Sequence, residues 1–88
     1  MKILIDKSFD KDVSQIKDKN IRLKLAICIE QIQAATSPSE IRNLKKLSGF
    51  KNQFRIRIGD YRIGAEIVED TLILIRFLHR KELYKFFP

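Results

Sequence analysis

Arg55 and Arg57 stand two residues apart in Phe54-Arg55-Ile56-Arg57-Ile58, so in an extended chain both leave the same side. Arg62 follows in Tyr61-Arg62-Ile63, and Arg76 interrupts an apolar run from Thr71 to Leu78. His79, Arg80, Lys81 and Tyr84 come directly after that run, and Lys45, Lys46 and Lys51 enter from the segment before Phe54. Guanidinium groups gathered on one sheet face suit phosphate, because each fork gives two parallel hydrogen bonds to one group. Tyr61 and Tyr84 add flat rings on which splayed bases of single-stranded RNA can stack. Cleavage of RNA by its own 2′-hydroxyl asks for more. The hydroxyl must lose a proton, the phosphorane must be stabilised and the leaving 5′-oxygen must gain a proton. Arginines can stabilise that charge, and His79, Tyr84 or a lysine can move the protons. On residue type alone, phosphate binding ranks ahead of catalysis.

Each residue also has an ordinary reading. Arg55 and Arg57 in alternation describe a solvated strand face as well as a site. Arg76, isolated in an apolar strand, needs a partner, and Glu66 is available for a salt bridge. Tyr84, Phe86 and Phe87 can plug the core at the C-terminus, and His79 can be a hydrogen-bonded edge residue. Taken together, several basic groups and two tyrosines converging on one face are harder to explain in that way.

Composition supports a polyanionic partner. The net charge is +7. Residues 1–44 hold eight basic and six acidic side chains, whereas residues 45–88 hold ten basic and five acidic, so the excess lies with the strands. Nucleic acid, an anionic membrane or an acidic protein would each meet such a surface. No run of about eighteen apolar residues is present to span a membrane, and the N-terminal Met1-Lys2-Ile3-Leu4-Ile5-Asp6 is too short and acidic for a signal peptide. A cytoplasmic protein is expected. Cys28 is the only cysteine and His79 the only histidine, which gives no ligand spacing for a metal. No glycine-rich phosphate loop exists, so neither metal nor cofactor is expected. Cys28, inside Leu25-Ala26-Ile27-Cys28-Ile29, reads as a buried structural thiol.

The elements that must position these residues follow from periodicity. Lys2–Asp6 is β-rich. Ser8 is placed to cap a helix carrying Phe9, Val13 and Ile16, and Asn20 to cap a second one running to about Ala35. In the second, Ile21, Leu25, Cys28, Ile29 and Ile32 recur at three- and four-residue steps, giving one apolar face. The two helices should form an antiparallel pair. Ser37-Pro38-Ser39-Glu40 has the form of a capping box and should start a short turn of helix that ends by Leu44. Lys45–Asn52 reads as a loop or ragged strand start. Strands then run over Phe54–Ile58, Tyr61–Val68 and Thr71–Leu78, separated by turns at Gly59-Asp60 and Glu69-Asp70. The last strand is almost continuously apolar and should be central and covered. A single α+β domain over residues 1–88 is expected: a strand, a helical hairpin and a three-stranded antiparallel meander with the helices on one sheet face. The other face is expected to be open and to carry the arginines.

Lys45-Lys46-Leu47-Ser48-Gly49, Tyr61-Arg62-Ile63 and His79-Arg80-Lys81-Glu82-Leu83-Tyr84 together resemble the motifs of the RelE/ParE superfamily of toxins. The helical first half fits the same fold, so the resemblance covers nearly the whole chain. It implies a toxin of a type II toxin–antitoxin pair, acting as a ribosome-dependent, metal-independent mRNA endoribonuclease. On that pattern Arg62 and Arg80 hold the scissile phosphate, Lys45 or Lys46 adds base or charge, and Tyr84 transfers a proton or stacks on a base. His79 precedes Arg80 where relatives vary. Arg55 and Arg57, with Lys51, Tyr61, Arg76 and Lys81, are expected to grip RNA. The implied partners are a cognate antitoxin, the ribosome and mRNA. Phe54 stands where relatives often carry a tyrosine. ParE-like relatives share the scaffold and inhibit DNA gyrase instead, and a non-catalytic, antitoxin-binding member is a third reading.

Overall fold

Five strands form one sheet in the order β1-β5-β4-β3-β2. The chain runs β1 (Lys2–Ile5), α1 (Lys7–Ser14), α2 (Lys19–Ala34), a 3-10 turn (Pro38–Glu40), β2 (Leu44–Lys46), β3 (Gln53–Ile58), β4 (Tyr61–Val68), β5 (Thr71–His79) and α3 (Leu83–Phe86). The structure is a computed structural model and describes residues 1–88. The expected meander is β3-β4-β5, joined by tight turns at Gly59-Asp60 and Glu69-Asp70. Two strands extend it: β2 pairs antiparallel with β3, and β1 lies parallel to β5 on the far side.

Both helix starts differ from expectation by two residues. Asp6, not Ser8, caps α1, its Oδ1 accepting the Ser8 N–H at 2.9 Å. Asp18, not Asn20, caps α2, accepting from the N–H groups of Asn20 at 2.8 Å and Ile21 at 3.3 Å. A carboxylate brings full negative charge to the positive end of the helix, which favours it over the hydroxyl or amide beside it. The Ser37 segment makes only three residues of 3-10 turn and Ser37 caps nothing. Its hydroxyl meets Ser39, while Thr36 donates to Glu40. At the junction of the helices, the Arg22 guanidinium donates to the carbonyls of Val13 and Ile16 and so closes the end of α1.

The main core lies between the helices and one sheet face. Ile21, Leu25 and Ile32 of α2 and Phe9 of α1 pack with Ile56, Ile63, Leu72, Leu74 and Phe77. Cys28 is only half-buried, less enclosed than expected, and burial pushes its thiol up from the ordinary range. In β5 the core positions shift parity from Leu72 and Leu74 to Phe77, because a bulge opposite Gly64/Ala65 inserts one extra residue. Ile75 thereby joins a second small cluster, with Leu47, Leu83 and Phe87, on the other face. The open face is thus partly covered by the chain's own C-terminus, as the plug reading of Phe87 anticipates. Gly64 makes room for it: a Cβ there would stand 2.6 Å from the Phe87 ring.

Past Leu74, β5 has β1 beside it no longer, and α1 takes over that edge. Asp6 donates its N–H to the Leu74 carbonyl at 2.9 Å, and the Ser8 hydroxyl donates to the Ile75 carbonyl at 2.6 Å. The buried Asp12 carboxylate accepts the Phe77 N–H at 2.9 Å and two bonds from Arg76, at 2.7 Å from Nε and 3.1 Å from Nη2. This corrects two expectations for Arg76. Its partner is Asp12 rather than Glu66, which accepts instead from Gln53, and the guanidinium is committed within the fold.

Removing one member of a buried ion pair leaves the other charge and a backbone donor unmet. Asp12→Ala should lower stability by about 3–5 kcal/mol, and the melting temperature by at least about 12 °C. Asp12→Asn, which keeps one acceptor oxygen, should recover part of it in thermal melts. Gly64→Ala should unseat Phe87, and amide exchange should then quicken at Phe87 and leave Phe77 protected.

Candidate phosphate-binding site

The alternation of β3 sends Ile56 and Ile58 into the core and Arg55 and Arg57 to the opposite face. Register adds to them: Lys45 of β2 lies opposite Arg55, and Arg62 of β4 lies opposite Arg57. Residues directly opposite share a face, so four cations gather across three strands, in two like-charged pairs that oppose folding. None of the four is in a salt bridge. They line a cleft of about 290 Å³ together with Asn43 and Leu44.

Arg62 is half-buried and its guanidinium folds back over the β3–β4 turn. Nη1 donates to the carbonyls of Gly59 at 2.8 Å and Tyr61 at 2.9 Å. Burial, and then the neighbouring charges of Arg55 and Arg57, hold its pKa below the usual arginine range. Tyr84 opposes that shift, and Arg80 adds to it. A site whose cations repel one another in this way gains from any anion that enters.

A wider cleft of about 550 Å³ adjoins the first and shares Lys45 and Arg55 with it. Lys46, Phe50, Tyr84 and Phe87 are among its other walls. Leu83 and Phe87 anchor α3 in the second cluster, which leaves Tyr84 standing out at 61% exposure. Arg80 lies just beyond the end of β5. Its N–H donates to the Asp60 carbonyl at 2.8 Å, while its largely exposed side chain makes a loose contact with the Asp60 carboxylate at 3.9 Å.

The structure therefore brings Arg55, Arg57, Arg62, Lys45, Lys46 and Tyr84 to one pair of clefts, while Arg80 lines neither and bears on them only through its charge on Arg62. It does not bring the rest. Tyr61 lies on the helix side, opposite Ile58, its ring stacked 5.3 Å from Phe77 and edge-on to His79 at 5.7 Å. His79 pairs with Tyr61 in register, and its Nδ1 accepts the Lys81 N–H at 3.2 Å. The expected convergence of two tyrosines and a histidine on the arginine face thus reduces to Tyr84. Arg76 is held by Asp12, with its guanidinium carbon 5.4 Å from the Phe86 ring centre. Lys51 and Lys81 are exposed and line neither cleft. Two contributors went unnoticed in the sequence. Asn43 adopts a positive φ of 64° and turns the chain into β2, a conformation that asparagine tolerates better than most residues. Phe50 supplies an exposed ring beside Tyr84.

Comparison with known proteins places the chain in a family. The family described as ParE toxin of type II toxin-antitoxin system, parDE, matches residues 3–84. The chain is 42% identical to Toxin RelE3 of Methanocaldococcus jannaschii over 89 aligned positions that span all of both proteins. A chain of the RelB-RelE antitoxin-toxin complex from Methanococcus jannaschii superposes with a TM-score of 0.82 at 40% identity, over 97% of this chain and 99% of that one. A chain of the archaeal RelE-RelB complex from Pyrococcus horikoshii OT3 shares the fold, with a TM-score of 0.72 at 19% identity over 93% and 97%. The mixed sheet, the basic face and these similarities lead to one conclusion: the chain belongs to the ParE toxin family and is a RelE-like toxin of a type II toxin–antitoxin system.

Proposed function

We propose that this toxin is a ribosome-dependent mRNA endoribonuclease, acting in the cytoplasm and restrained by a cognate RelB-like antitoxin. The observation that carries the reading is the cleft in which Lys45, Arg55, Arg57 and Arg62 meet without a salt-bridged acid, adjoining the cleft of Tyr84. The mRNA backbone lies across it. The substrate's 2′-oxygen attacks the adjacent phosphorus, the bond to the 5′-oxygen breaks, and the products end in a 2′,3′-cyclic phosphate and a 5′-hydroxyl. Arg62, positioned by the Gly59 and Tyr61 carbonyls, stabilises the phosphorane with Arg80. Lys45 or Lys46 takes the 2′-hydroxyl proton or adds charge, and Tyr84 supplies a proton to the 5′-oxygen or stacks on a flanking base. Arg55 and Arg57 hold neighbouring phosphates. So open a site cannot by itself hold RNA in line for attack, and the ribosome supplies that geometry. The antitoxin assignment follows from the RelB partners of the related toxins.

Cells expressing the wild-type chain should stop growing and accumulate new 5′ ends inside translated messages. Arg62→Ala should reduce the rate of cutting by about 10²–10³-fold, the usual effect of losing one oxyanion donor. Tyr84→Phe should slow cutting by about 10²-fold or more where the hydroxyl moves a proton. Tyr61→Phe and His79→Gln, which alter the opposite face, should leave the cutting pattern in place. Intact messages accompanied by gyrase-linked DNA breaks would overturn the ribonuclease reading.

A further inference from the structure

Beyond Arg57 the sheet edge carries a further basic cleft, of about 310 Å³, between α2 and the β2–β3 edge. Lys24, Arg42 and Arg57 supply its charge, no carboxylate lines it, and none of the three is in a salt bridge. Lys24 reaches the β3–β4 turn, its Nζ standing 4.0 Å from the position a Gly59 Cβ would take. The cleft adjoins the first one, since Asn43 and Arg57 line both. Asn43 builds that join. Its left-handed backbone separates Arg42, which lines the helix-side cleft, from Lys45, which lines the arginine face, and its carbonyl accepts the Arg57 N–H at 3.4 Å.

We infer that this cleft is a second phosphate site, which takes the flanking nucleotides of the same single strand as it leaves the arginine face over the edge at Arg57. The inference rests on the RNA reading above. Phosphates ask only for cations, whereas a protein segment needs apolar anchors. Here the apolar wall has little to give: Ile58 is buried, Cys28 is half-buried, and Ile27 alone is exposed. The strand thus follows a basic path from Lys45 and Arg55, past Arg62 and Arg57, to Arg42 and Lys24.

The test uses the full chain and two uncleavable probes, 2′-O-methyl single-stranded RNAs of about four and about twelve nucleotides, with affinity measured against salt. For the long probe, Lys24→Ala/Arg42→Ala should flatten the slope of log K against log salt by about 1.4, the value for two released phosphate contacts on a single strand. Affinity for the short probe should not change. The exchange Lys24→Arg/Arg42→Lys keeps both charges and should restore the slope. Both side chains are exposed and make no hydrogen bond within the chain, so the double variant should melt like the wild type. An unchanged slope on the long probe would overturn the second site and leave the arginine face standing. Loss of affinity for an acidic antitoxin peptide with RNA binding intact would overturn it in favour of a protein occupant. Failure of the wild type to bind either probe would overturn the strand path, and the ribonuclease reading would then stand or fall on the 5′ ends mapped in cells.

Discussion

The carboxylate of Asp12 stands where a strand should be. β1 supports β5 only as far as Leu74, and beyond that point the edge of a nine-residue strand would face solvent. A helix cannot offer backbone groups sideways, so α1 offers side chains: Ser8 to the Ile75 carbonyl and Asp12 to the Phe77 amide. Arg76 then becomes the counter-charge that lets a carboxylate be buried at all. The contact grips β5 just past its bulge, on the stretch that leads to α3. Without it the second half of β5 would be an unprotected edge, and Arg80 would hang from it.

One sheet accordingly does two jobs. On its helix side, Ile56, Ile63 and Phe77 form a dry core that fixes strand spacing and register. On its other side the same register lays cations next to one another, with only Leu47, Ile75, Leu83 and Phe87 as cover. Rigidity is made on one face and used on the other, since side chains on well-packed strands keep their mutual spacing better than side chains on loops. Tyr84 is the exception. It is carried by four residues of helix held to the sheet by Leu83 and, just past the helix end, Phe87.

Much of this was legible in the residues. Alternation in Phe54–Ile58 gave the face of Arg55 and Arg57 directly, and three- and four-residue spacing gave the buried side of α2. Strict alternation also assigns Tyr61 to the face opposite Arg62, so its place in the core was available from parity alone. His79 was not, because its face depends on the bulge, and nothing in Thr71-Leu72-Ile73-Leu74-Ile75-Arg76-Phe77 announces an extra residue. The Asp12–Arg76 pair joins residues 64 apart in the chain, and the parallel pairing of β1 with β5 is equally non-local. Local pattern carries no information about either. β2 was hidden for another reason: three residues, two of them lysines, are too few to show a period.

The like-charged neighbours Lys45 with Arg55 and Arg57 with Arg62 make occupancy and folding one thermodynamic problem. In the free protein their repulsion opposes the native sheet, and dissolved ions relieve it. When the cleft is filled by a polyanion that relief becomes specific, and whatever binds the native face adds to the stability of the fold in proportion to its saturation. Ionic strength therefore pulls in opposite directions, firming the empty protein while loosening its complex. A sheet built this way is least stable when its cleft is empty and the solution is dilute in ions.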